Sequence, residues 1–282
     1  MNISKPKLLI YIIAFNHEEF IVNVLKRIPL NLSKKYEVEI LINDDSSADN
    51  TFDLSYRYTK NAPGNFKFTI LYNPTNQGYG GNQKIGYHYA IKNNFDYVVL
   101  LHGDGQYAPE ELPKLLNGLH HGKFDVVIGS RMIKKKDALK GGMPLYKLVG
   151  NVILTKIQNF LLKTHLAEFH SGYRIYSVKS LKKIPFYLNT NDFHFDTEIL
   201  IQLFLINSKI KEISIPTFYG DEICHVNGIK YAFNIIKTTS IAALQKSFDL
   251  KFSKKYIKNN QIKKIYKNQI IEKLLVAAKK RN

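Results

Sequence analysis

The chain has 282 residues, 45% of them apolar and 12% aromatic, with a formal net charge of +18 and one cysteine. That length and apolar share exclude a disordered chain and allow one sizeable core, while the lone Cys224 excludes an internal disulfide and fits a reducing compartment. Met1 to Lys7 has no apolar run with a cleavage site, and the most apolar long segment, Leu145 to Leu166, is broken by Lys147, Asn151, Lys156 and Lys163, so neither a secretory signal nor a membrane span is expected.

Short apolar runs alternate with helical patterns. Strands are expected at Lys7 to Phe15, Val38 to Ile42, Phe66 to Tyr72, Tyr97 to Leu101 and Phe124 to Ile128. The helices between them fall at Glu18 to Arg27, Asp49 to Thr59, Gly80 to Asn93 and Pro109 to Leu119. This alternation predicts βαβ units and a mostly parallel sheet covered on both faces, with the strand-end loops along one rim. Lys134-Lys135-Lys136-Asp137 reads as a mobile loop. Beyond it, helices are expected at Pro144 to Lys163 and Thr197 to Ile206, and a short strand at Ile210 to Ile215. The boundaries read as a domain over 1–226, split near 131 into a nucleotide-binding and an acceptor half, and C-terminal helices over 227–282.

Half of the charge sits in the last 34 residues, where ten Lys and one Arg face only Asp249 and Glu272, a net +9. Ile262, Ile265, Tyr266, Ile270 and Leu274 recur at helical spacing there. A basic helix with one apolar stripe suits an anionic membrane surface, or packing on the parent domain with a solvated Lys face. No nucleic-acid recognition module is visible, so no nucleic-acid partner is expected.

All five expected strands end in polar, acidic or Gly-rich groups. These are Ala14-Phe15-Asn16-His17-Glu18, Asn43-Asp44-Asp45-Ser46-Ser47-Ala48-Asp49, Asn76-Gln77-Gly78-Tyr79-Gly80-Gly81, His102-Gly103-Asp104-Gly105-Gln106 and Gly129-Ser130-Arg131. One such end is an ordinary turn; five on one rim are a binding crevice. An acidic group on the Gly-loosened fourth loop suits Mg2+ or Mn2+ gripping a diphosphate. Carboxylates at the second strand end can accept from a nucleobase imide or a ribose hydroxyl, although Asp45 or Asp49 can instead cap the following helix, the role favoured for Asp49. The Gly78 loop opens a helix whose free N–H groups favour an anion. It lacks the Walker pattern and follows the third strand, so it is no dinucleotide fingerprint. Lys84, one turn into that helix, sits either beside that anion or on a solvated surface.

In order and spacing these motifs, with Ser171-Gly172-Tyr173-Arg174, resemble the family-2 glycosyltransferases of the GT-A fold. They look most like the dolichol-phosphate mannose synthase and polyprenyl-phosphate glycosyltransferase branch, over roughly Lys7 to Thr239. The resemblance implies an α/β, Rossmann-like, mostly parallel sheet flanked by helices, here with a basic helical tail. It further implies inverting transfer of a sugar from a nucleotide diphosphate-sugar to a polyprenyl-phosphate or lipid-linked glycan, with Mg2+ or Mn2+ on the diphosphate, in the cytoplasm or at the inner face of the membrane. Two other functions stay open: a soluble enzyme acting on a capsule or lipopolysaccharide precursor, and a non-catalytic nucleotide-sugar-binding protein.

By position, Ala14, Asn16 and Glu18 match the segment beside the nucleotide, and Asp44 and Asp45 the pair that reads base and ribose. Gly78, Lys84, Gly103 and Asp104 complete the expected nucleotide-sugar site. Asp104 and Gln106 would face the metal. Arg131 would meet phosphate charge, and Arg174 would lie near donor sugar and acceptor. Two departures stand out. His102 replaces the first acid of the family's DxD motif, as a metal ligand or as packing beside one, and Ser46 stands where a Gly is usual. A sugar-hydroxyl acceptor would need a base, for which Asp196 and Glu198 are candidates; both also read as first-turn acids complementing a helix dipole. His225 is a candidate for the metal or pyrophosphate, or a plain surface-loop residue, and Cys224 reads as a small packed side chain.

Overall fold

A computed structural model describes residues 4–119, 122–219, 227–248 and 254–256. Its frame is one seven-stranded sheet of β1 (Lys7–Ala14), β2 (Glu37–Asp44), β3 (Lys67–Tyr72), β4 (Tyr97–His102), β5 (Val126–Ser130), β6 (Arg174–Ser177) and β7 (Ile210–Ser214), in the order β3-β2-β1-β4-β6-β5-β7. Pairing is parallel between β1 and β2, β1 and β4, β2 and β3, and β5 and β7, while β6 runs antiparallel between β4 and β5. The helices are α1 (Ile21–Lys26), α2 (Thr51–Lys60), α3 (Tyr79–Lys92), α4 (Leu112–Asn117), α5 (Lys135–Lys140), α6 (Leu145–Leu162), α7 (Val178–Leu181), α8 (Phe195–Leu205) and α9 (Gly228–Phe248).

The continuous apolar runs of β1 and β4 follow from burial on both sides. Leu9, Tyr11 and Ile13 enter one core cluster with Val98 and Leu100, while Leu8, Ile10 and Ile12 enter the other with Val99 and Leu101. The two-residue period of a strand sends alternate side chains to opposite layers.

Three expectations are corrected. Lys134 to Asp137 is not a loop: α5 begins at Lys135, because Ala138 is buried against Met132 and Met143 and draws the segment onto the domain. The expected helix from Pro109 to Leu119 splits into a 3-10 turn, Pro109–Glu111, and α4, since Pro113 has no N–H to donate to the preceding turn. β6 was not expected at all. Its four residues open on a charged side chain, yet Arg174, Ile175 and Tyr176 are fully buried.

Candidate active site

Register builds the site. At the carboxyl end of β1, Ala14 pairs with Asp44 on one side and Ile13 with His102 on the other. The Ala14 carbonyl accepts from the Asp45 amide at 2.8 Å, and the Ile13 carbonyl from Gly103 at 2.9 Å. With strands about 4.8 Å apart, the acidic end of β2 and the loop after β4 flank the same strand tip about 10 Å apart.

On the β2 side Asp44 is fully buried. One carboxylate oxygen accepts from the Ser47 amide at 2.7 Å; the other, Oδ2, is buried without a partner. Burial pushes its pKa up to about 6, against the pull of the Ser47 hydrogen bond. Ser46 takes φ +67, so this turn does demand the left-handed conformation that glycine adopts freely. Asp45 is also buried and is occupied within the protein: it accepts from Asn73 Nδ2 at 2.7 Å and from the Gln77 amide at 2.8 Å. Asp49 precedes Asn50, the N-cap of α2, and accepts from the amide of Thr51, the first residue of that helix, at 3.0 Å. Asn16 and Glu18 brace the same loop, Asn16 accepting from the Ala48 amide at 2.9 Å and Glu18 from the Asn50 amide at 3.0 Å.

On the β4 side Gly103 is packed so that a Cβ would come 2.8 Å from His17 Nδ1. Asp104 and Gln106 follow on a partly exposed loop, with Asp104 accepting from the Gln106 amide at 3.0 Å. His102 turns inward. Its Nε2 lies 3.3 Å from the Tyr79 hydroxyl, and the Tyr79 and Tyr107 rings meet it edge-on at centroid distances of 5.6 and 4.9 Å. Burial lowers its pKa, leaving a neutral imidazole. Among the described residues no three His, Cys, Asp or Glu side chains gather as a metal cage. One carboxylate, Asp104, with the side-chain amide oxygen of Gln106 is still a donor set that Mg2+ or Mn2+ accepts when substrate phosphates complete the shell.

The remaining expected residues are engaged by the fold itself. At the Gly78 loop two amides are taken within the protein: Gly78 donates to Asn76 Oδ1 at 2.8 Å and Gly80 to the Asn191 carbonyl at 2.8 Å. A Cβ on Gly80 would lie 2.5 Å from the Thr190 carbonyl oxygen. Lys84 is buried, donating to the Asn189 carbonyl and to Asn191 Oδ1, and the burial lowers its pKa to about 8. Arg131 forms a buried ion pair with Glu168. Arg174 is wholly buried and donates to the carbonyls of Ser171, Asp196 and Phe169 at 2.6 to 2.7 Å, so its guanidinium is taken up by the fold. Asp196 accepts from Tyr79 at 2.8 Å and Gln83 at 3.1 Å. Glu198 accepts from the Thr190 amide at 2.7 Å and Lys255 at 2.9 Å. Neither acid is the exposed base that a hydroxyl acceptor would need. His225 and most of the basic tail lie outside the described residues. Tyr79 and Tyr107, which pack on His102 at the end of β4, and Glu168, which pairs with Arg131 after β5, gave no signal in the sequence beyond their place near the motifs.

The model of the family described as Glycosyl transferase family 2 matches residues 9–185, and the chain belongs to that family: it is a glycosyltransferase. Its relatives fall in the polyprenyl-phosphate branch. It is 31% identical over 224 residues to the UDP-N-acetylglucosamine–dolichyl-phosphate N-acetylglucosaminyltransferase of Methanococcus voltae, covering 76% of this chain and 87% of that one. It is 25% identical to the undecaprenyl-phosphate mannosyltransferase of Micrococcus luteus, covering 71% and 82% respectively. Among solved structures, glucosyl-3-phosphoglycerate synthase from Mycobacterium tuberculosis, in complex with Mn2+, UDP-glucose and phosphoglyceric acid, superposes with a TM-score of 0.60 at 15% identity, covering 88% of this chain and 82% of that one. At that identity the likeness shows the shared GT-A fold alone.

Proposed function

We propose that this glycosyltransferase moves a sugar, with inversion, from a UDP-sugar to a polyprenyl phosphate, assisted by Mg2+ or Mn2+. The observation that carries the reading is the alignment of Asp44 and Asp104 on either side of the β1 tip. Asp44 Oδ2, buried and unpartnered, would accept from a base imide N–H. Asp104 and the Gln106 amide would hold the cation, which when bound neutralises the charge growing on the leaving diphosphate. The Methanococcus voltae relative, named for a UDP-sugar donor and a dolichyl-phosphate acceptor, supports both substrate classes.

The state of Asp196 and Glu198 favours a phosphate acceptor over a sugar hydroxyl. A lipid phosphate is anionic at neutral pH and needs no base, and both candidate bases are buried and already hydrogen-bonded. The test is transfer of labelled sugar from UDP-N-acetylglucosamine, with Mn2+, to a short polyprenyl phosphate, a free disaccharide or phosphoglycerate in parallel. Label is expected in the polyprenyl lipid; label only in the disaccharide or phosphoglycerate would overturn the acceptor.

A further inference from the structure

Beyond α9, a 3-10 turn at Lys254–Tyr256 packs on α8 and enters a buried polar network. Lys255 Nζ donates to Glu198 Oε1 at 2.9 Å, and the Lys255 carbonyl accepts from Gln202 Nε2 at 3.2 Å. Thr238 gives its proton to Glu198 at 3.2 Å, so the Tyr256 hydroxyl, 2.5 Å from Thr238 Oγ1, donates to it. Glu198, Gln202, Thr238 and Tyr256 are all buried.

The other end of this network is the loop of residues 189–191 before α8. Glu198 Oε2 accepts from the Thr190 amide at 2.7 Å. The side chains of Gln202 and Asn189 exchange two hydrogen bonds, at 2.7 and 3.1 Å. That loop is in turn the floor under the start of α3. Gly80 donates to the Asn191 carbonyl, and Lys84 to the Asn189 carbonyl and Asn191 Oδ1. A Cβ on Gly78 would stand 2.7 Å from the Asn191 carbonyl oxygen, and one on Gly80 2.5 Å from that of Thr190. On its far side the same turn is held by Asp45, which accepts from the Gln77 amide at 2.8 Å. Residues 77–81 are therefore wedged between the 189–191 loop and the neighbour of Asp44.

A buried ion pair costs desolvation, and what it returns is fixed geometry more than net stability. Without the Lys255 cation, the Glu198 carboxylate would act more strongly on Lys84, which already feels its charge and ties α3 to Asn189 and Asn191.

We propose that Lys255 and Tyr256 are positioning residues for the nucleotide site: they hold Glu198, and through it the 189–191 loop on which residues 78–81 rest. The consequence for nucleotide rests on the UDP-sugar reading above; the contacts of the strap do not.

The experiment is calorimetry of UDP with Mn2+ into the full chain, below the melting temperature of each protein, with hydrogen exchange followed with and without UDP. Wild type is compared with Lys255→Met, Lys255→Arg and Tyr256→Phe. Lys255→Met is expected to bind UDP about tenfold more weakly, Tyr256→Phe to lose less, and Lys255→Arg to restore the affinity, since a guanidinium also donates to Glu198. In Lys255→Met the amides of 77–81 and 189–191 should exchange about tenfold faster even without UDP, while those of β5 do not. By reciprocity UDP should slow exchange at residues 254–256 in wild type. Unchanged exchange at 77–81 in Lys255→Met overturns the proposal. So does exchange that rises equally over the whole chain with UDP affinity unaltered, the mark of a merely structural role. Local loosening of 77–81 in a set of proteins none of which binds UDP would count against the donor reading and leave the strap standing.

Discussion

Tyr79 donates its hydroxyl proton to Asp196 Oδ2 at 2.8 Å, a bond spanning 117 residues of sequence. The Tyr79 hydroxyl oxygen also lies 3.3 Å from His102 Nε2, and with its proton committed to the carboxylate it acts as acceptor there, which places the imidazole proton on Nε2. Through Tyr79 the loop after β4 is tied to the first turn of α8. His102 is thus held by a donor–acceptor chain that ends on the Asp196 carboxylate.

Removing that hydroxyl leaves Asp196, buried at 4% exposure, without one of its donors. Tyr79→Phe is expected to lower stability by about 1–3 kcal/mol, read from urea unfolding. Unchanged stability would mean that Asp196 is satisfied without Tyr79.

Asp44 is expected to stabilise and disable the protein at once when neutralised. Its folded pKa of about 6 exceeds the ordinary 3.8, so the folded state holds the proton more tightly. The group's contribution to stability therefore falls as pH rises from about 4 to 6 and stays lost above that. Asp44→Asn should be more stable than wild type at pH 7 by about 1–3 kcal/mol and no more stable at pH 4. If the carboxylate accepts from the base, the same variant should bind UDP about tenfold more weakly at pH 7. Thermal melts and calorimetry at the two pH values read both effects, and a variant that gains stability without losing UDP affinity would remove Asp44 from the donor site.

Arg131 and Glu168 form an ion pair in which the carboxylate is fully buried. Asn151 also donates to Glu168 at 2.9 Å, and the guanidinium reaches the His170 carbonyl at 3.2 Å. Glu168→Ala strands a buried cation and is expected to cost about 3–5 kcal/mol in chemical denaturation. A cost below about 1 kcal/mol would show that Arg131 finds solvent or another anion.

Much of the frame was legible in the chain because strands buried on both faces must read as unbroken apolar runs, as in Lys7 to Phe15 and Tyr97 to Leu101. The polar residues that end those runs mark the rim on their own. What stayed hidden are the partners. Lys84 reaches Asn191, Arg131 reaches Glu168 and Asp196 reaches Tyr79 across 107, 37 and 117 residues, and helical or strand periodicity assigns a face to a side chain without saying what it meets there. For the same reason β6, four residues opening on Arg174, reads as loop until Phe169, Ser171 and Asp196 are seen to supply the carbonyls that its guanidinium needs.

At the β1 tip, Asp104 is expected to hold a cation against the diphosphate of a bound nucleotide. Titration calorimetry of UDP into the full chain, with and without Mn2+, on wild type and Asp104→Asn tests it most directly. Mn2+ is expected to tighten UDP about tenfold or more in wild type and to do nothing measurable in the variant. An Asp104→Asn protein that keeps the full Mn2+ enhancement, or a wild type that binds UDP equally well without the metal, would contradict it.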